Sequence, residues 1–201
     1  MKRLFLLVLV LFAFVGATAH ADGDPASDYL LGTKVFIPFD LKVPKAKQQE
    51  LTRVVQNANA SGYTIRVAVI GSLYDMGAVV SLWKKPRPYA KFLGAELQFV
   101  YKNRLLVVMP QGFGFNWPRH PTAKEYALLD KITIPPGSVG LVDAAQTEVQ
   151  GLATAAGVKI VSHGSSGGEN TTHDRIVIIL GAVGAVLVAV LLRLALRRKQ
   201  P

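Results

Sequence analysis

Two stretches of this chain are apolar without interruption, Leu4 to Val15 and Ile176 to Leu192, and between them apolar and polar positions recur with helix and strand periods. In VPKAKQQELTRVVQNANASG, Leu51, Val54, Val55 and Ala58 fall at i, i+3, i+4 and i+7, which predicts a helix opened at Pro44 and stopped between Asn59 and Gly62. Tyr63 to Ile70 is rich in β-branched residues and lies between glycines, as a central strand does. Lys34 to Phe39 reads as an edge strand, because Pro38 has no N–H to give a ladder. Asp22 to Asp28 reads as a loose polar tail.

Further along, a helix through Val79, Val80 and Trp83 is expected to break at Pro86. A second runs from Pro88 to Gly94 with Tyr89, Phe92 and Leu93 inward. Glu96 to Tyr101 and Arg104 to Met109 are expected to pair as a hairpin turning at Lys102-Asn103, which leaves Gln111 to Pro121 as a loop. Lys124 to Lys131 is a short helix. Leu141 to Ala156 is a longer one with Val142, Ala145, Val149, Leu152 and Ala156 along one stripe, and Val158 to Val161 is a last short strand. Strands interleaved with helices predict an α/β domain, one mixed sheet of about four strands covered by helices.

The two continuous stretches set the layout. Lys2 and Arg3, the apolar run and the small-x-small Ala19-His20-Ala21 make residues 1–21 a secretory signal with cleavage after Ala21. The second run has no polar side chain and nearly spans the ~30 Å hydrocarbon core, with Arg193 able to snorkel. The expected order is signal peptide 1–21, exported domain 22–161, polar linker 162–174, transmembrane helix 175–196 and basic tail 197–201. Ile176 to Leu192 then lies in the lipid bilayer of the cell membrane, as a single pass with the domain outside and the basic tail in the cytoplasm.

Charge changes little once partitioned. Of the net +10, Lys2 and Arg3 supply +2, and Arg175, Arg193, Arg197, Arg198 and Lys199 supply +5. Residues 22–174 hold 16 basic and all 13 acidic residues, a balance of +3, so no nucleic-acid partner is expected. The absence of cysteine excludes disulfides, thiolate catalysis, Cys-ligated zinc and lipid attachment through Cys. His120, His163 and His173 lack metal-site spacing. Gly164 to Gly168 matches G-x-S-x-G, but in a linker it lacks the strand and helix a nucleophile elbow needs.

QELTRVVQNANASGYTIRVAVIGSL, LQFVYKNRLLVVM and Gly112-Phe113-Gly114-Phe115 carry a resemblance. Together they resemble the opening helix and first central strand, the paired strands and the glycine-aromatic-glycine turn of the TPM-domain family, across roughly Val43 to Ala156. The resemblance implies an extracytoplasmic α/β sandwich, often tethered to a membrane. It implies roles in membrane-complex assembly or repair, as a receptor accessory protein, or in metal-dependent phosphatase chemistry, with Ca²⁺ or Mg²⁺ as the cations to consider. This chain has Asn116 where the family usually has an acidic residue after that turn, and Lys102-Asn103 where its hairpin turn is often acidic. Asp40 is its nearest counterpart to the family's opening acids.

Two regions offer chemistry. Asp75, in the loop after the strongest strand, is placed either to meet a cation or act as a base, or to cap a helix near Gly77; its neighbour Tyr74 is expected to pack. The loop Gln111 to Pro121 brings Asn116, Trp117, Arg119 and His120 together with glycines that let backbone approach a ligand. A basic surface is expected from Lys84, Lys85, Arg87 and Lys91 beside Trp83, facing acidic head groups, an acidic partner or solvent. No catalytic residue set emerges. The sequence therefore leads to a membrane-tethered binding or accessory domain for an unidentified membrane or envelope protein, with no required cofactor. The alternative is a divalent-cation-dependent phosphohydrolase of the TPM type.

Overall fold

Four strands form one mixed sheet in the order β1-β2-β3-β4: Val35–Phe36, Ile65–Val69, Arg104–Met109 and Gly112–Asn116. They belong to a computed structural model that describes residues 23–161. The expected signal peptide, linker, membrane span and basic tail lie outside the described residues. None of the described helices is long and apolar enough to cross a membrane.

β1, β2 and β3 are parallel, and β3 and β4 form an antiparallel hairpin closed by Pro110 and Gln111. The chain is thus α/β, a mixed four-stranded sheet covered by helices on both faces. One face carries Val67, Val69, Leu106, Val108, Phe113 and Phe115, packed under α2 (Lys45–Ala60), α4 (Ala123–Leu129) and α5 (Gly137–Ala155). The other carries Ala68, Ile70, Leu105, Val107 and Met109, packed under α1 (Pro25–Gly32) and α3 (Pro86–Glu96). β2 and β3 are buried on both sides, which is why their sequences are nearly continuous apolar runs.

α2 buries Leu51, Val54, Val55 and Ala58 and ends at Ser61, as its spacing predicts. β1 is a sheet edge, as expected, but of Lys34 to Phe39 only Val35–Phe36 is strand; Pro38 lies beyond it and Phe39–Leu41 is a 3₁₀ turn. α5 buries Val142, Ala145, Val149 and Leu152, but it begins at Gly137 and leaves Ala156 outside as its exposed cap.

Other expectations are corrected. The hairpin does not turn at Lys102-Asn103. Leu97–Phe99 continues α3 as a 3₁₀ turn, with Phe99 88% exposed, and β3 pairs instead with Gly112–Asn116. Glu96 to Tyr101 is as apolar as a strand, but Leu97 is held by the core under α3, where a helical turn and not a strand puts it. Residues 73–82 form kinked 3₁₀ turns, because Gly77 takes φ 51°, ψ −123°; Pro86 begins α3 instead of ending a helix. Val158 to Val161 is not a strand; Val158 and Ile160 pack on the core, and Val161 N–H reaches Ser61 Oγ at 3.1 Å. The polar tail is also replaced, since Asp24 caps α1 with Pro25 in its first turn.

Candidate functional site

Trp117 follows the last residue of β4, and its position is set by two elements beneath it. The Tyr126 hydroxyl of α4 accepts from Phe115 N–H at 2.8 Å and donates to Phe115 C=O at 2.9 Å, so α4 is pinned to the end of the strand. Leu105 of β3 pairs with Asn116, which brings Arg104, one residue earlier, beside Trp117. The Arg104 guanidinium lies 3.8 Å from the centre of the Trp117 ring and 4.4 Å from that of Tyr63. His120 stacks on Trp117 with ring centres 3.8 Å apart and planes 12° apart. Two groups that close to one ring cannot share a face, so the order is Tyr63, Arg104, Trp117, His120. Tyr63 is buried at the base of this ladder and burial pushes its hydroxyl up to about 12, while His120 is exposed at the top. Cation–π contacts of this kind contribute roughly 0.5–2 kcal/mol each, more as they lose water.

The turn itself is tight. Arg119 adopts φ 64°, and His120 N–H bonds Trp117 C=O at 3.1 Å. His120 Nδ1 lies 2.9 Å from Pro118 C=O; a carbonyl only accepts, so Nδ1 carries the proton and Nε2 is left for contact outside the turn. Arg119 is exposed, and Asn116 packs against α3, where a Cβ on Gly94 would meet its Nδ2 at 2.0 Å. Of the expected loop, Arg119 and His120 are exposed, Trp117 is half-buried against the core, and Gly112 to Asn116 is strand.

Asp75 lies at the other end of the sheet. It follows the C-terminal end of β2, whereas Trp117 lies beside its beginning, and five strand residues separate those ends by roughly 15 Å. Asp75 is 9% exposed, and its Oδ2 accepts from Gly71 N–H at 2.8 Å and Ser72 N–H at 2.7 Å, the carboxylate arm of a capping box begun at Ser72. It caps Gly71 and Ser72, not the backbone near Gly77. Asp75→Ala is expected to cost about 1–3 kcal/mol, because two N–H groups lose their acceptor. Denaturant unfolding reads this, and an unchanged midpoint would remove the capping role. Tyr74 does not pack; it is 91% exposed. Asp40 is exposed on the neighbouring 3₁₀ turn, and Leu41 closes that turn against Gly71.

A carboxylate that the sequence reading missed is Asp24. It is 4% exposed, and the Tyr89 hydroxyl donates to it at 2.7 Å. Burial pushes its carboxyl up to about 6, although the hydrogen bonds from Tyr89 and Ala26 N–H act downward. The Tyr89 hydroxyl is itself pushed far up by burial and by the charges of Asp24 and Asp75. The signal for Asp24 was its place before Pro25 and an apolar helical spacing, an N-cap pattern. Arg104 offered no such signal, since strand pairing alone puts it between two rings.

Arg87 is exposed as expected but paired: its Nη2 bonds Asp130 Oδ2 at 2.6 Å, and its guanidinium lies 4.3 Å from the Tyr126 ring centre. Lys85 Nζ donates to Ser81 C=O at 3.1 Å, and Lys84 and Lys91 are exposed. Among the described residues, no three His, Cys, Asp or Glu are grouped as metal ligands.

No protein-family model matches this chain. No curated protein matches it either. Among solved structures it is similar to the N-terminal domain of the cg2496 protein from Corynebacterium glutamicum, determined by solution NMR. The TM-score is 0.40 at 12% identity, over 69% of this chain and 86% of that one. A likeness this low carries no functional argument.

Proposed function

We propose that this is an exported domain, tethered to the membrane, which binds or supports another membrane or envelope protein through the turn Trp117 to His120. The observation that carries the reading is the ladder Tyr63–Arg104–Trp117–His120: it stacks exposed His120 on half-buried Trp117 at the surface, with Nε2 of His120 and the Arg119 guanidinium as polar contacts beside it. Rigid aromatic and Arg anchors are the side chains that dominate protein interfaces. Export rests on the signal-like residues 1–21. Tethering rests on Ile176 to Leu192, and the cytoplasmic tail on the positive charges after it. Of the resemblance to the TPM-domain family only the opening helix and first central strand keep the expected form, and the role that resemblance implies is of the same kind. We assign no cofactor.

The test is photo-cross-linking in native membranes, comparing the natural chain with Arg119→Glu and with Trp117→Ala/His120→Ala. Each variant is expected to lower capture of a discrete partner about tenfold or more. Unaltered capture would move the contact surface elsewhere. Metal-dependent hydrolysis of p-nitrophenyl phosphate, abolished by Asp75→Asn, would replace this reading with the phosphohydrolase one.

A further inference from the structure

The outer side of β1 carries a second surface, distinct from the Trp117 turn. Among the described residues β1 is a sheet edge, bonded to β2 alone. Lys34 C=O accepts from Val67 N–H at 2.9 Å, so strand alternation turns the backbone groups of Val35 and Ile37 outward. The Val35 carbonyl there takes a long bond of 3.3 Å from the Thr33 hydroxyl. Along this edge, between α1 and α2, run two adjoining hollows of about 670 and 330 Å³ that share Tyr29. Tyr29 is 55% exposed and Phe39 99% exposed at the end of the larger one. Lys42 and Lys45 line the larger hollow and Lys34 the smaller, and among the described residues no carboxylate lines either. Among the described residues none of these three lysines is in an ion pair.

We propose that this groove binds an extended acidic peptide segment, added to the sheet as a strand beside β1. The outward Val35 and Ile37 groups supply main-chain hydrogen bonds, Tyr29 and Phe39 hold alternate apolar side chains, and the three lysines meet carboxylates. Charge selects this occupant. A second copy of the chain, paired edge to edge, would set the same lysines against one another, and like charges across an interface cost several kcal/mol.

The test uses the full chain in detergent micelles and a fluorescein-labelled octapeptide of alternating valine and glutamate, read by fluorescence polarisation. Saturable binding is expected, weakened about tenfold or more by Lys42→Glu/Lys45→Glu, whose positions are exposed and carry no core packing. The same peptide N-methylated at alternate residues should bind comparably weakly, because it lacks ladder donors while the protein is unaltered. Trp117→Ala/His120→Ala should leave peptide binding unchanged, which separates this groove from the proposed partner surface. The proposal is overturned by the absence of saturable binding, by equal binding of a valine–lysine octapeptide, or by indifference to both the charge reversal and N-methylation. Charge-sensitive binding to phosphatidylserine vesicles without peptide binding would overturn it in favour of a lipid surface.

Discussion

Gly114→Ala is expected to prevent the native structure from forming. Gly114 lies in the middle of β4, and a Cβ there would sit 1.9 Å from Pro86 C=O and 2.8 Å from the Ala90 Cβ. The first is a backbone atom in the opening turn of α3, so no side-chain rotation relieves it; α3 would have to lift from the hairpin. That helix covers β3 and β4 with Tyr89, Ala90 and Leu93, all fully buried, and moving it uncovers that face of the sheet. Overpacking with repacking allowed costs about 1–3 kcal/mol; a rigid backbone clash should exceed ~4 kcal/mol, a large part of a domain's total stability. Circular dichroism and hydrogen exchange on the variant check this. Native-like protection in β3 and β4 would show that α3 can shift at little cost. Gly112→Ala gives the contrast: nothing lies within 4 Å of its Cβ, so the penalty there is only that of its φ of +136°.

Asp24→Asn should raise stability at neutral pH and remove a pH dependence. In the folded protein the Asp24 carboxyl titrates near 6, and in the unfolded chain near 3.8. Between those values the folded state holds a proton that the unfolded state has released, so stability falls as pH rises. The favourable contribution is complete below pH ~4 and lost above pH ~6, an effect of about 3 kcal/mol at ~1.4 kcal/mol per pKa unit. Asparagine keeps an oxygen for Ala26 N–H and the Tyr89 hydroxyl and has no charge to bury, although its amide adds an unpaired donor. The expected gain at pH 8 is about 1–2 kcal/mol, shrinking to zero or reversing at pH 4. Urea unfolding at pH 4, 6 and 8 measures it. Burial raises the Glu148 carboxyl too, so only the difference between variant and natural protein isolates Asp24. A gap that stays constant with pH would mean that Asp24 is not buried as a carboxyl.

The unequal legibility of the two ends of the sheet has a physical cause. α2 and β2 read plainly because each buries one periodic set, Leu51, Val54, Val55 and Ala58 in the helix and Ile65 to Val69 in the strand. The hairpin did not, because Leu97 to Tyr101 and Phe113 to Phe115 are both short and apolar, and periodicity cannot say which of them meets β3. Glycine decided it: Gly114 lets β4 approach the Pro86 backbone of α3, and Gly94 of α3 makes room for Asn116. The candidate site shows the same division. Trp117 and His120 stood out as residue types on an unusual loop, yet Arg104 and Tyr63 joined them only through strand register.

The residue order by itself determined the α/β class, the central strand β2, the edge at β1 and the buried faces of α2 and α5, because these depend on periods within single segments. It also supplied the reading of two apolar ends, which composition and charge carry without a fold. Only the tertiary structure decided that Asp75 caps a turn away from Trp117, that Asp24 is buried beneath Tyr89, that Arg87 is held by Asp130, and that two hollows run along the β1 edge between α1 and α2. Each of those depends on groups brought together across many residues, and neither period nor composition encodes such a distance.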